Sequence, residues 1–109
     1  MSTIATTTTT TTTTVVRYKT HPEHAEQNAA LVKAVFEALR RAQPAGLKYQ
    51  TLRGRDGVTF THLATVDDAL EGHPLTSLPE FKAFVADLGA RCAEPPARVE
   101  SQVLDSYAG

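Results

Sequence analysis

The sequence predicts an α+β domain of element order β-α-β-β-α-β, a four-stranded antiparallel sheet with two helices on one face. Three observations predict it. The pair Asp56-Gly57 stands between two β-rich runs, which marks a hairpin. Apolar residues recur at three- and four-residue steps from Ala29 to Leu39 and again from Phe81 to Cys92, which marks two helices. A β-branched run before the first helix and a weakly alternating run after the second supply the outer strands.

The chain has 109 residues and a net charge of -1, which bounds it to one domain. Charges of both signs are scattered, with no basic stripe, so neither nucleic acid nor an anionic membrane is an expected partner. One cysteine excludes an intrachain disulfide and a cysteine-rich metal site. No apolar run approaches the ~20 residues that cross a bilayer. The N-terminus lacks the basic-then-apolar layout of a secretory signal, so a cytoplasmic location is expected.

Taken in order, Thr6 to Thr14 is an unbroken threonine tract with no apolar alternation to anchor it. Residues 1–12 are expected to form a disordered or loosely extended tail, and residues 13–109 the folded domain. Val15 to Thr20 suits a strand. Pro22 suits the first turn of a helix, where its missing N–H would be unpaired anyway. Ala29, Val32, Val35, Phe36 and Leu39 form the buried stripe of that helix, and Pro44-Ala45-Gly46 ends it. Leu47–Arg53 and Val58–Val66 are the hairpin strands, and Asp67 to Thr76 is a loop. Ser77 and Glu80 have capping-box spacing ahead of the second helix. Phe81, Phe84, Val85, Leu88 and Cys92 are its stripe, Pro95-Pro96 closes it, and Ala97 to Tyr107 is the last strand. The whole is a ferredoxin-like, split βαβ arrangement.

Strand residues alternate between faces. Either hairpin register sets Leu47, Tyr49, Thr51 and Arg53 on one face with Val58, Phe60, His62, Ala64 and Val66. That face is the more apolar and is expected to meet the helices. The other carries Lys48, Gln50, Leu52, Thr59, Thr61, Leu63 and Thr65. It is neither a clean solvent face nor a clean core, which suits packing against a second copy. A homodimer is expected.

The element order, the His73-Pro-Leu-x-x-Leu-Pro-x-Phe81-x-x-Phe84 segment and the preceding Tyr49…His62 hairpin together resemble the antibiotic biosynthesis monooxygenase superfamily, over about residues 14 to 107. The resemblance implies a dimeric α+β barrel with a pocket between sheet and helices in each subunit. It implies either a cofactor-independent monooxygenase acting on an aromatic or quinol-like small molecule, or a member without that activity. The haem-degrading members use an Asn, Trp and His set, whereas this chain has no tryptophan.

Candidate chemistry follows from the faces. Tyr49 and His62 project from neighbouring strands towards the helices, where an imidazole and a phenol would orient a phenolic ligand and accept its proton. The alternative is a hydrogen-bonded core histidine with Tyr49 as packing. Arg53 ends the same row, either as an anion ligand at a pocket mouth or as a solvated hairpin arginine. Tyr18 lines the same space if Val16 faces the helices. His73, before the second helix, either closes over a ligand or bonds a loop carbonyl. Phe36, Phe60, Phe81 and Phe84 are the expected apolar walls. His21 and His24 are too local for a metal site, and Cys92 is expected as a small buried hydrophobe. No cofactor is expected. A non-catalytic ligand-binding dimer and a structural dimer with a filled core are the competing classes.

Overall fold

The structure is a computed structural model that describes residues 10–109. Strand β1 spans Thr11–Thr20, a 3-10 turn Pro22–His24, helix α1 Ala25–Ala42, strands β2 Leu47–Arg53 and β3 Thr59–Asp67. Helices α2 Pro79–Ala86 and α3 Leu88–Arg91 and strand β4 Cys92–Ser101 follow. The sheet order is β2-β3-β1-β4, with every pairing antiparallel. This is the ferredoxin-like arrangement expected. The first nine residues of the expected tail lie outside the described residues; of the threonine tract, Thr11 to Thr14 belong to β1. Their β-branched side chains suit the pleat, and Thr13 bonds Thr65 across the sheet at 2.7 Å.

The hairpin register pairs Leu47 with Val66, Tyr49 with Ala64, Thr51 with His62 and Arg53 with Phe60, so the predicted faces hold. Asp56 fixes the turn by accepting from the Val58 and Thr59 amides and the Thr59 hydroxyl. Those three donors hold its carboxyl down at about 2. Helix α1 buries Val32 and Val35 as expected, together with Ala25, Asn28 and Ala38. Its C-cap is Gln43, three residues before Gly46. Gln43 takes the left-handed conformation at φ 47°, and its N–H reaches the Leu39 carbonyl at 2.7 Å. Gly46 takes the expected left-handed conformation as well, at φ 77°, and a Cβ there would stand 2.8 Å from Leu70 Cδ1.

The second helical region departs from expectation. No capping box forms. The N-cap is Leu78, Ser77 bonds the Pro74 carbonyl and Glu80 instead meets Arg41 at 3.2 Å. Pro79 at the first helical position starts the helix without it. The helix breaks at Asp87, and Val85, within it, is 46 % exposed rather than on the stripe. Cys92 opens β4 and is half-buried instead of lying on a helix.

Pro95-Pro96 does not end a helix. The pairing jumps from Lys19 opposite Glu94 to Arg17 opposite Ala97, so two prolines face the single residue Tyr18. That is a bulge on an edge strand, one of the few sheet positions that tolerates proline. The last strand therefore ends at Ser101, and Tyr107 lies beyond it, 93 % exposed.

The core lies between the sheet and the helices, around Tyr18, Val32, Val35, Phe60, Ala64, Leu75 and Phe84. Leu75 anchors the loop before α2 and is 2 % exposed. The other sheet face bears no helix. Among the described residues no helix is long and apolar enough to cross a membrane.

Candidate functional site

His62, on the central part of β3, is 5 % exposed and stands over the core face of the sheet. Alternation along three neighbouring strands sends Tyr18, Tyr49 and Thr51 to the same face. Tyr18 Oη lies 2.7 Å from His62 Nε2. Tyr49 Oη and Thr51 Oγ1 each lie 2.9 Å from Nδ1. Both ring nitrogens are therefore occupied by hydroxyls. The His62 ring also stacks between the two tyrosines, with centroids 5.3 Å from Tyr18 and 6.0 Å from Tyr49, and Phe84 covers it at 5.3 Å.

The network extends away from the sheet. Asn28 of α1, fully buried, donates from Nδ2 to Tyr18 Oη at 2.9 Å. Arg91 of α3 donates from Nε to Asn28 Oδ1 at 3.0 Å and from Nη2 to the Phe84 carbonyl at 2.6 Å. Its guanidinium lies 5.4 Å from the centre of the Phe84 ring. No buried side-chain polar atom among the described residues lacks a partner.

Burial sets the proton affinities. Desolvation holds His62 down to about 4, so it is neutral at pH 7. Tyr49 is pushed up to about 12 by burial, and Tyr18 is raised further by the same cause. The tyrosines are thus neutral phenols, donors rather than phenolates.

A cavity of about 240 Å3 opens beside this group. Tyr18, Tyr49 and His62 line it from the sheet, Phe81 and Phe84 from α2, and His73 and Arg98 at the side of the loop and β4. His73 Nδ1 accepts from the Leu75 amide at 3.2 Å, a different bond from the expected loop carbonyl. Desolvation and then the charge of Arg98 lower its pKa. A wider groove of about 750 Å3 runs between α1 and β2. It holds none of the buried histidine–tyrosine group, and its floor is shared by Phe36 and Phe60. Convergent buried polar groups, rather than volume, single out the smaller cavity.

Of the expected site residues, Tyr18, Tyr49, His62, His73, Phe81 and Phe84 come together. Arg53 and Phe60 do not line that cavity. Arg53 belongs to the wider groove, where it pairs with Glu26 at 2.7 Å, bonds the Gly57 carbonyl and lies over Phe60. Asn28, Thr51, Arg91 and Arg98 were not anticipated. Asn28 had a signal: it falls four residues before Val32, a polar residue in step with an apolar stripe. Among the described residues, no group of three or more His, Cys, Asp or Glu side chains is placed to hold a metal ion.

The ferredoxin-like sheet beneath its helices is a fold shared with several solved structures, among them proteins named as putative antibiotic biosynthesis monooxygenases. Against a "putative antibiotic biosynthesis monooxygenase" from Bacteroides thetaiotaomicron the TM-score is 0.76 at 17% identity, over 92% of this chain and 95% of that one. Rv0793 from Mycobacterium tuberculosis gives 0.73 at 17% identity, over 90% and 99%. A protein of the first name from Caulobacter crescentus gives 0.70 at 20% identity, over 89% and 92%. No protein-family model and no curated protein matches the sequence, so the likeness is one of fold.

Proposed function

We propose that this protein is a cofactor-independent monooxygenase for a small aromatic or quinol-like molecule and that it works as a homodimer. One observation carries the reading: a neutral histidine, held by three hydroxyls, lines an aromatic-walled cavity of about 240 Å3. That volume lies below the range usual for drug-sized ligands and suits one or two fused rings.

A phenolic ligand lies against Tyr49, whose hydroxyl is the contact to its oxygen, while Phe81 and Phe84 hold the ring. The electron-rich phenolate reduces O2 directly. A carbon–oxygen bond forms at the ring carbon to give a peroxide that takes up one proton from solvent. The ring hydrogen then leaves as a proton, the C–H electron pair completes the new carbonyl as the O–O bond breaks, and the outer oxygen departs as water. A phenol with a free ring C–H plus O2 gives a quinone plus water, and the substrate supplies all four electrons. Oxygen uptake with a panel of phenols and quinols, compared with His62→Ala and Tyr49→Phe, tests this. Equal rates in all three proteins would remove the roles assigned.

The helix-free sheet face supports the dimer. Leu52 is 49 % and Val99 58 % exposed there, with Val15 paired to both Leu63 and Val99. Covering a few hundred Å2 of such surface contributes several kcal/mol at ~25 cal/mol per Å2, before association costs.

A second reading, a ligand-binding dimer without catalysis, is favoured by the complete pairing of the buried polar atoms, because neither His62 nitrogen is free for a substrate. A ligand that raises the melting temperature and is recovered unchanged would establish it.

A further inference from the structure

Arginine can only donate hydrogen bonds, and this orders the whole buried network. Because Arg91 Nε donates to Asn28, the oxygen of that amide faces Arg91 and its NH2 faces Tyr18. Tyr18 Oη therefore accepts from Asn28, and its own proton is left for His62 Nε2, 2.7 Å away. A neutral His62 with Nε2 as acceptor carries its proton on Nδ1, which points to Tyr49 and Thr51. Of these two hydroxyls, only Tyr49 lines the cavity beside His62; Thr51 lines the groove on the α1 side.

We propose that Arg91 and Asn28 are positioning residues that give the chain Arg91–Asn28–Tyr18–His62–Tyr49 a single direction, every member donating towards the cavity, so that the site receives an oxyanion. The proposal rests on the cavity being the ligand site and specifies its ligand class: an acidic phenol or enol bound as its anion. Donors in series polarise one another. The series begins at a permanent positive charge that is 3 % exposed and meets no carboxylate among the described residues. Only dipoles compensate that charge, so the site is short of a negative one. At its far end Tyr49, already accepting from His62, has its own proton to offer. The resting site is thus a hydrogen-bond donor to an oxyanion, not a base awaiting a proton.

Long-range proton–nitrogen NMR of the imidazoles at pH 8 reads the direction without any assay of activity, with His62 assigned by loss of its signals in His62→Gln. The expected result is a proton on Nδ1 and none on Nε2 in the wild type. Asn28→Asp keeps the shape and pairs Arg91 with a carboxylate. Its second oxygen takes the Tyr18 proton, so the Tyr18 oxygen must accept and the His62 proton moves to Nε2. Arg91→Lys, also a pure donor, keeps the proton on Nδ1. A wild-type proton on Nε2, or an Asn28→Asp protein with none there, overturns the proposal. The ligand class is read separately with 4-nitrophenolate and its uncharged methyl ether, 4-nitroanisole. The anion is expected to bind about tenfold tighter, as befits a charge-assisted bond, and equal affinities overturn that assignment. Absence of binding by either probe, with the wild-type tautomer as stated, tells against the cavity as a ligand site and leaves the direction standing.

Discussion

Tyr18 stacks on His62 with ring centroids 5.3 Å apart while its hydroxyl, 2.7 Å from Nε2, also accepts from Asn28. One side chain thus serves as packing and as the junction between α1 and β3. Tyr18→Phe keeps the ring and deletes the junction, leaving two buried polar groups unmatched. Its expected cost is about 1–3 kcal/mol, measured by urea unfolding, with the fold retained by circular dichroism. A change well below that range would mean that water fills the gap.

Stability should depend on pH through His62. Its folded value, about 4, lies below the ordinary 6.5, so the unfolded chain binds the proton more readily. The contribution is fully present above pH 6.5 and is lost as pH falls through 4. The difference between the two values corresponds to about 3 kcal/mol at most. His73 acts in the same direction, whereas Asp56, held at about 2, acts at lower pH. Unfolding free energies across pH 4–7 should slope upwards with pH, and His62→Gln should remove most of the slope.

Leu75 and Val85 make a paired test of the second helical region. Leu75→Ala empties a position that is 2 % exposed and should cost about 2–5 kcal/mol. Val85→Ala, at a position 46 % exposed, should stay within about 0.5 kcal/mol. Reversed magnitudes in thermal or denaturant unfolding would contradict the placing of Leu75 in the core and of Val85 outside it.

The dimer reading predicts that charge on the helix-free sheet face separates the subunits. Leu52→Lys with Val99→Glu should sediment as a monomer at micromolar concentration, where the wild type sediments as a dimer. Neither side chain reaches the core, so the doubly substituted protein should remain folded. A wild-type monomer under the same conditions would remove the prediction at its root.

The parts legible in the sequence were those whose physics is local or periodic. Alternation sets the faces of β2 and β3 for either register that the Asp56-Gly57 turn allows, so Tyr49 and His62 share a face on the sequence alone, and the observed register keeps them there. The stripe of α1 was legible because nothing interrupts it. The region from Ser77 to Ser101 was not, because tertiary contacts override its local signals. Glu80 is drawn to Arg41 and away from Ser77, and an edge strand absorbs Pro95-Pro96 through a bulge. Arg91 was invisible for a different reason. A buried cation has no signature in its own neighbourhood, since its partners Asn28 and Phe84 are supplied by other elements.

The sheet order has a consequence for how the chain folds. β1 lies between β3 and β4, and Val15 pairs with both Leu63 and Val99. The earliest described strand therefore waits for the latest, and Arg91, on which the buried network hangs, arrives only just before it. Such high sequence separation slows folding, because loop closure precedes any reward from contact. During synthesis, β1 to β3 would emerge with one edge of β1 unpaired and Tyr18 uncovered, a surface on which chaperones act. Cooperative folding is deferred until Ser101 has left the ribosome.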